Sequence, residues 1–175
     1  PVLHGDRIYL TGQRADGLLV TLAVDRERGQ IVWEREAPRV KTTVVDKRNN
    51  PASPSPAVDA DGVYVFFPDY GLIGYDAAGT QRWATPLGPF KNAYGMGASP
   101  IVVGDLVVLV CDQSVGSYIL AVDKRTGRER WRTPRPEATS GHSTPIVWRG
   151  PDGKEQILAP GSFLLTSYDA ATGKK

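Results

Sequence analysis

One arrangement of residues recurs along the chain and limits what it can fold into. The stretch AVDRERGQIVW occupies residues 23–33, and the nearly matching AVDKRTGRERW occupies residues 121–131. The shared order of aspartate, glycine and tryptophan returns roughly every 45 to 50 residues, a period typical of repeat architectures. The members are Asp25, Gly29 and Trp33; Asp76, Gly79 and Trp83; Asp123, Gly127 and Trp131; and Asp169 and Gly173. The sequence therefore predicts a repeated structural unit.

A second marker divides each period into strands. Ser-Pro or Thr-Pro, at Ser55, Ser99 and Thr144, precedes β-branched runs such as IVVGDLVVLV. Two such runs about a Gly-Asp pair predict a hairpin. In the repeated order of aspartate, glycine and tryptophan, the aspartate can accept hydrogen bonds across a turn, and the glycine can take a positive φ. Each period thus predicts about four short strands, and apolar positions at helical spacing are almost absent.

The period and the strand content predict an all-β fold, namely a partial β-propeller. We expect about four blades, each a four-stranded antiparallel sheet. The repeat units lie at approximately residues 1–50, 51–95, 96–140 and 141–175, and together they form a single incomplete propeller domain, residues 1–175. A blade cannot bury both faces by itself, so the repeated tryptophan is expected to pack against the neighbouring blade.

The composition excludes several classes of protein. The formal net charge of +2 is far below what nucleic-acid binding requires. The single cysteine excludes an intrachain disulfide, and we expect Cys111 to be a small buried apolar residue. No apolar run approaches the roughly 20 residues of a bilayer-spanning helix. We therefore predict neither a nucleic-acid partner nor a transmembrane segment.

Basic residues concentrate between residues 124 and 135, which carry six lysines and arginines. Such a stretch is typical of a solvated outer strand, where charge also discourages edge-to-edge aggregation. Strand alternation predicts that Glu129 shares a face with Trp131 and that the opposite face carries Arg128, Arg130 and Arg132.

Three short motifs resemble chemical sites but fit turns better. Residues 59–62 read DADG, like the start of a calcium loop, yet Val63 and Tyr70 stand where further oxygen ligands belong. Residues 141–145 read GHSTP, and the final proline excludes a nucleophile elbow. The TGKK stretch beginning at Thr172 lacks the first glycine of a phosphate loop. No catalytic, metal-binding or cofactor-binding residue is predicted.

The segments that lead into the blades contain the best candidates for a binding site. His142 lies just before the third Ser/Thr-Pro marker, and the equivalent upstream stretch carries Asn92, Tyr94 and Met96. Such segments tend to lie near the central channel of a propeller, so these four residues are predicted to line a shared funnel mouth. The alternative is that they are hydrogen-bonded loop and packing residues.

The unit A-V-D-x-x-T-G-x-x-x-W, followed by S-P-I-V-x-G-D-x-V-V-V, resembles the quinoprotein-like β-propeller repeat. This repeat occurs in pyrroloquinoline-quinone (PQQ) alcohol dehydrogenases and in cofactor-free BamB-like relatives of the outer-membrane assembly machinery. The resemblance covers essentially the whole chain and implies that the repeated aspartates, glycines and tryptophans form a structural tryptophan-docking motif. It also implies a ring of seven or eight blades, of which this chain would be about half. We expect two copies to pair as a homodimer through their open blade faces.

The resemblance favours a non-catalytic scaffold for protein interaction over an enzyme. It implies a periplasmic or cell-envelope location, although no signal is present in this segment, and outer-membrane protein assembly is one task within that class. No cofactor is expected, and the sequence names no protein partner. One alternative is a fragment of a PQQ-dependent alcohol dehydrogenase that binds PQQ with calcium. The resemblance implies that such an enzyme needs a tryptophan beneath its cofactor. Trp148 is the one tryptophan outside the repeated motif, and we place it in an outer hairpin. The other alternative is a propeller that binds a small ligand or glycan.

Overall fold

The computed structural model describes residues 1–38, 43 and 45–175, and these residues form strands and turns without a helix. Within them, no helix reaches the length and apolarity needed to cross a membrane. The strands are β1 (Val2–His4), β2 (Arg7–Gln13), β3 (Leu19–Asp25), β4 (Ile31–Glu36), β5 (Ala57–Val58), β6 (Val63–Phe67), β7 (Gly71–Tyr75), β8 (Gln81–Pro86), β9 (Ile101–Val103), β10 (Leu106–Cys111), β11 (Tyr118–Asp123), β12 (Glu129–Pro134), β13 (Ile146–Arg149), β14 (Glu155–Pro160) and β15 (Leu165–Asp169).

Consecutive strands pair antiparallel and make four separate sheets. Strands β1–β4, β5–β8 and β9–β12 form four-stranded sheets, and β13–β15 form a three-stranded sheet among the described residues. We call them the first to fourth sheets. Each sheet corresponds to one repeat unit, and the sheets stand side by side in an open arc. The prediction of an all-β partial propeller is therefore confirmed.

The same irregularity interrupts the third strand pair in each four-stranded sheet. The register shifts directly beside the tryptophan, between Ala23 and Val24, between Gly74 and Tyr75, and between Ala121 and Val122. This bulge places an extra residue in the tryptophan strand and reverses the alternation beyond it. Glu129 consequently pairs with Val122 and lies on the face of Arg132, with which it forms a 2.7 Å ion pair. The predicted shared face of Glu129 and Trp131 is wrong for this reason.

The core is divided among three inter-sheet layers. The first sheet contributes Tyr9 and Trp33 to a layer with Val65 and Ile73 of the second sheet. The second sheet uses its other face, with Trp83, against the third, and the third sheet meets the fourth in the same way through Trp131. Cys111 lies fully buried in the middle layer, as predicted, and burial raises the pKa of its thiol to about 12.

The Ser/Thr-Pro marker joins neighbouring sheets at their first strands. The Ser99 hydroxyl accepts a 2.9 Å hydrogen bond from the Ser55 N–H, and the Thr144 hydroxyl accepts a 3.0 Å bond from the Ser99 N–H. Strand β5 contacts both β1 and β9, so the first strand of each sheet lies at the inner side of the arc. Trp148 belongs to β13, which is the first strand of the fourth sheet. The predicted outer position of Trp148 is therefore wrong, because the repeat places β13 on the inner side.

The two end sheets each present an apolar face to solvent. Leu3 and Ile31 lie on the first sheet opposite Tyr9 and are 55% and 59% exposed. Ile146, on the fourth sheet, is 60% exposed and points away from the third sheet. The inner sheets bury both faces, whereas the end sheets each bury one. Contiguous apolar surface of this kind favours association.

We predict that the chain self-associates head to tail, with the fourth sheet of each copy against the first sheet of the other. Light scattering is expected to give a particle of twice the 19.0 kDa chain mass at high micromolar concentration. The Ile146→Glu variant should remain monomeric, because the new carboxylate would be desolvated in the contact. A clean monomer of the unsubstituted chain under these conditions would contradict the prediction.

Candidate functional site

The repeated aspartates and glycines form four equivalent turns. In the second, the Asp76 carboxylate accepts hydrogen bonds from the N–H groups of Ala78 and Thr80 at 3.0 and 2.8 Å. These bonds, that of Thr80 first, hold the pKa of Asp76 below its usual range. The same capping recurs at Asp25, Asp123 and Asp169. The turn glycines have φ between 66° and 80°, a region that glycine enters without strain; they are Gly29, Gly79, Gly127 and Gly173.

Each repeated tryptophan reaches the turn of the next sheet. Its indole N–H donates to the carbonyl of the residue after the aspartate: Trp33 to Ala77 at 3.0 Å, Trp83 to Lys124 at 2.8 Å and Trp131 to Ala170 at 3.1 Å. The ring lies flat on the turn glycine. A Cβ on Gly79, Gly127 or Gly173 would lie 2.6, 2.6 or 2.4 Å from an indole atom. Glycine is therefore required both for backbone conformation and for space.

A second hydrogen bond accompanies each indole. The side chain two residues after the tryptophan donates to the carbonyl of the turn glycine: Arg35 to Gly79 at 2.7 Å, Thr85 to Gly127 at 2.7 Å and Thr133 to Gly173 at 2.6 Å. We call an Asp-to-Gly turn with its two accepting carbonyls an indole seat. The packing of the indole on the glycine is apolar and has no fixed direction by itself. The two hydrogen bonds to the turn carbonyls fix the orientation of the tryptophan strand against the next sheet.

The funnel-mouth candidates separate into an exposed pair and a buried pair. Tyr94 and His142 lie edge to face, with ring centres 6.0 Å apart. They line an open hollow of about 650 Å³ with Asp46, Arg48, Asn49, Gly97 and Ser140, which we call the loop hollow. Tyr94 is 53% exposed there, and the Arg48 guanidinium lies 5.9 Å from its ring centre. The structure thus brings Tyr94 and His142 together although 48 positions of sequence separate them.

Asn92 and Met96 do not line the loop hollow. Met96 is 1% exposed and packs in the layer between the second and third sheets. The Asn92 amide donates to the Asp112 carbonyl at 3.1 Å, and its oxygen accepts from the Tyr94 N–H at 3.1 Å. Both residues lie beneath the loop that carries Tyr94. Asn92 holds the loop backbone through its two hydrogen bonds, and Met96 anchors the loop in the layer between the sheets. The prediction that they line the funnel mouth is wrong for this pair.

The prediction that residues 124–135 form a solvated strand overlooks a buried ion pair. The Arg135 guanidinium binds the Asp112 carboxylate at 2.7 and 3.0 Å, and both side chains are almost fully buried. Arg135 also donates to the Tyr168 hydroxyl at 2.7 Å and to the Pro160 carbonyl at 3.1 Å, both in the fourth sheet. The sequence offers no sign of this role, because Arg135 looks like the end of a surface charge run.

Lys124 is also buried, although it was predicted to lie on a solvated strand. Its ammonium group contacts Asp61 at 2.7 Å and Asp59 at 3.0 Å across the gap between the second and third sheets, and its side chain is only 10% exposed. These carboxylates raise the pKa of Lys124, with Asp61 the larger influence. The Asp59 carboxylate also caps the turn by accepting from the Gly62 N–H at 3.1 Å. The DADG stretch is thus a strand-connecting turn, as predicted, that holds a lysine.

The PQQ–calcium alternative would need oxygen ligands for calcium and a tryptophan beside the cofactor. Within the described ranges, no three His, Cys, Asp or Glu side chains converge as metal ligands. Three of the four tryptophans have their indole N–H groups bonded in seats between sheets. Trp148 is 44% exposed on the outward face of the fourth sheet, where its cross-strand neighbour is Gln156.

We predict that Trp83→Ala lowers the free energy of unfolding by about 3–5 kcal/mol, because it empties a filled inter-sheet layer. Trp148→Ala is the matched control and should cost about 1 kcal/mol or less, since that ring is half exposed. Urea unfolding followed by circular dichroism measures both. Equal losses for the two variants would show that seating an indole adds nothing to stability.

We predict that Asp112→Asn destabilises the chain by about 3–5 kcal/mol, because it leaves the Arg135 charge buried without a partner. The control is Glu129→Gln, which removes a 2.7 Å ion pair of Arg132 in solvent and should cost about 1 kcal/mol or less. The same unfolding assay applies. A loss for Asp112→Asn no larger than that of the control would contradict a structural role for the buried pair.

The chain matches a family model over most of its length. The model described as "Outer membrane protein assembly factor BamB" covers residues 19–175. No curated protein matches the chain.

Solved structures share its fold. BamB from Moraxella catarrhalis aligns over 98% of this chain with a TM-score of 0.62 and 17% identity, and the chain covers 50% of it. The quinohemoprotein alcohol dehydrogenase from Comamonas testosteroni aligns over 99% with a TM-score of 0.69 and 19% identity, with 33% of it covered. The quinohemoprotein alcohol dehydrogenase ADHIIG from Pseudomonas putida HK5 aligns over 99% of this chain with a TM-score of 0.69 and 20% identity, and the chain covers 32% of it.

At such identities the likeness concerns the fold alone. The chain spans between about a third and a half of the length of these structures. The family is shown by the match over residues 19–175, which agrees with the four-sheet arc and with the repeat: the chain belongs to the PQQ-like β-propeller family described as outer membrane protein assembly factor BamB.

Proposed function

We propose that this chain is a non-catalytic scaffold that binds a protein partner through the loop side of the arc, the side that carries the loop hollow. The observation that carries the proposal is the exposure of large apolar side chains at loop tips there. Phe163 is 97% exposed, Val115 is 77% exposed and Tyr94 is 53% exposed. Large apolar side chains exposed at loop tips on one side offer contacts to a protein partner.

Hydrogen bonds between the loops hold these tips on one side. The Ser114 N–H donates to the Lys91 carbonyl at 2.7 Å, which ties the Val115 loop to the segment that leads to Tyr94. The Thr139 N–H donates to the Ser162 hydroxyl at 2.9 Å, which ties the Phe163 loop to the segment that leads to His142. A partner therefore meets a surface that is largely formed before binding, and this lowers the entropic cost of association.

The family supports a role in outer-membrane protein assembly within the periplasm or cell envelope. That role is part of the description of the family model, and the chain also covers half of the BamB structure from Moraxella catarrhalis. The loop hollow supports a second candidate, a small polar ligand or glycan, because its volume of about 650 Å³ falls within the usual range of ligand sites. A PQQ-dependent dehydrogenase has no support from the described residues.

We predict that a photoreactive benzophenone side chain at position 163 or 94 of the native-length protein crosslinks to a protein of the outer-membrane assembly machinery in intact cells. Arg28 is the matched control, because it is also exposed but belongs to a turn at the opposite end of the strands. The crosslink from position 163 should disappear when Tyr94 is replaced by alanine, and the crosslink from position 94 should disappear when Phe163 is replaced by aspartate, with unchanged circular dichroism in both variants. Identical crosslinking from position 28, or none from 163 and 94, would overturn the proposed surface.

A titration with PQQ and Ca²⁺, followed by absorbance and tryptophan fluorescence, separates the scaffold from the enzyme. We expect no saturable change. Saturable binding together with dye-linked alcohol oxidation would instead establish the dehydrogenase.

A further inference from the structure

Three successive connections between the sheets meet at the loop hollow. The connection into the second sheet contributes Arg48, the connection into the third contributes Tyr94, and the connection into the fourth contributes His142. The Asn49 side chain ties the first of these connections to the second, because its amide donates to the Tyr94 carbonyl at 2.7 Å. The hollow is therefore built by three chain segments that are far apart in the sequence.

The last of these connections has a costly backbone conformation beside the hollow. Ser140 has a φ of 53°, and among the described residues it is the one with a positive φ that is not glycine. A side chain in this region strains the backbone, and the strain has to be offset by other contacts. Gly141 follows, and a Cβ there would lie 2.6 Å from an oxygen of the buried Asp112 carboxylate. The backbone thus lies directly on the Asp112–Arg135 ion pair just before it reaches His142.

The facing connection is fitted to the histidine. A Cβ on Gly97 would lie 3.4 Å from the His142 Cβ, so a longer side chain there would crowd the imidazole. Tyr94 and His142 both remain exposed, and their contact removes little apolar surface from water. Backbone strain and close fitting that bury so little apolar surface are not explained by stability. Such strain is characteristic of ligand sites, which favours binding over loop packing as the role of this pair.

The hollow has unused hydrogen-bonding groups around its aromatic ring. The Asp46 carboxylate binds the Arg48 guanidinium through Nε at 2.7 Å and Nη2 at 3.2 Å, and Nη1 takes no part in this pair. Within the described ranges, no hydrogen bond is made by the Ser140 hydroxyl, the Tyr94 hydroxyl or a ring nitrogen of His142. The charges of Asp46 and Arg48 offset each other, so the hollow suits a neutral ligand with several polar groups.

We propose that the loop hollow binds a neutral sugar residue, with its C–H face against the exposed part of the Tyr94 ring and its hydroxyls toward Arg48, Ser140 and His142. The C–H groups of a sugar are attracted to the electron-rich face of an aromatic ring. Its hydroxyls both donate and accept, which matches the mixed groups at the rim of the hollow. The proposal rests on the second candidate function given above and assigns it a ligand class and a set of contacts.

The test is saturation-transfer NMR of the chain with glucose, galactose, mannose or N-acetylglucosamine. The C–H protons of at least one sugar are expected to receive saturation, and that sugar should shift the amides of Gly95, Gly97 and Gly141 in the ¹⁵N-labelled chain. Acetate at the same concentration should shift none of them. Transfer to none of the four sugars would overturn the proposal, and equal shifts from acetate would replace it with an anion site.

Tyr94→Ala should weaken binding of the responding sugar roughly tenfold or more, because the ring that packs against the sugar is lost. Phe163→Ala is the matched control, since Phe163 is a 97% exposed aromatic residue on the same side of the arc but outside the hollow. It should leave the affinity unchanged, and circular dichroism shows whether both variants are folded. Equal affinities of Tyr94→Ala and the unsubstituted chain would contradict the assigned contact.

The sugar site and the scaffold can fail independently. Crosslinking from position 163 tests the scaffold outside the hollow, whereas sugar binding tests the hollow with no protein partner present. A crosslink from position 163 without sugar binding would leave the scaffold standing and overturn only the sugar site.

Discussion

An indole that lies flat on a glycine of the next sheet is the contact on which the arc depends. A twisted sheet has two apolar faces and cannot stand alone, and a ring-like arrangement needs each face covered at a constant angle. The seat provides this because three requirements coincide at one turn: a capped aspartate, a glycine with positive φ, and two backbone carbonyls in fixed positions. A side chain with a different aromatic ring in place of the indole, or a Cβ on the turn glycine, would prevent at least one of these contacts. Burial of each tryptophan contributes the apolar area, and the two hydrogen bonds fix its direction.

The repeated contact is the same at every interface and so does not distinguish one neighbour from another. Contacts that occur at single interfaces do. Lys124 joins the second and third sheets at the turn side, and Arg135 joins the third and fourth at the loop side. Such buried charges add little to net stability relative to apolar packing, but a wrong neighbour would leave them unpaired. They therefore make these two interfaces differ from each other, while the indole contact recurs at all three.

The two ends of the strands differ in what they carry. The indole seats lie at one end and are occupied with holding sheets together. The loops at the other end are supported from below by Asn92, Met96 and the Asp112–Arg135 pair, which leaves Tyr94 and His142 at the surface. The same fold occurs in BamB and in quinohemoprotein alcohol dehydrogenases, so the fold alone does not fix a function.

The sequence by itself determined the all-β architecture and the number of sheets, because period-2 strands, capped turns and glycines with positive φ are local properties. The pairing of Tyr94 with His142 was partly predictable, since both fall at equivalent places in the repeat. Other features were decided only by the tertiary structure. The bulge that moved Glu129 to the opposite face arises from the strand partner, and the burial of Lys124 and Arg135 arises from carboxylates and a hydroxyl that lie 23 to 65 positions away in the chain. A charged residue in a basic run reads as solvated until its neighbours in space are known, because burial and electrostatic pairing depend on distances that local sequence does not contain.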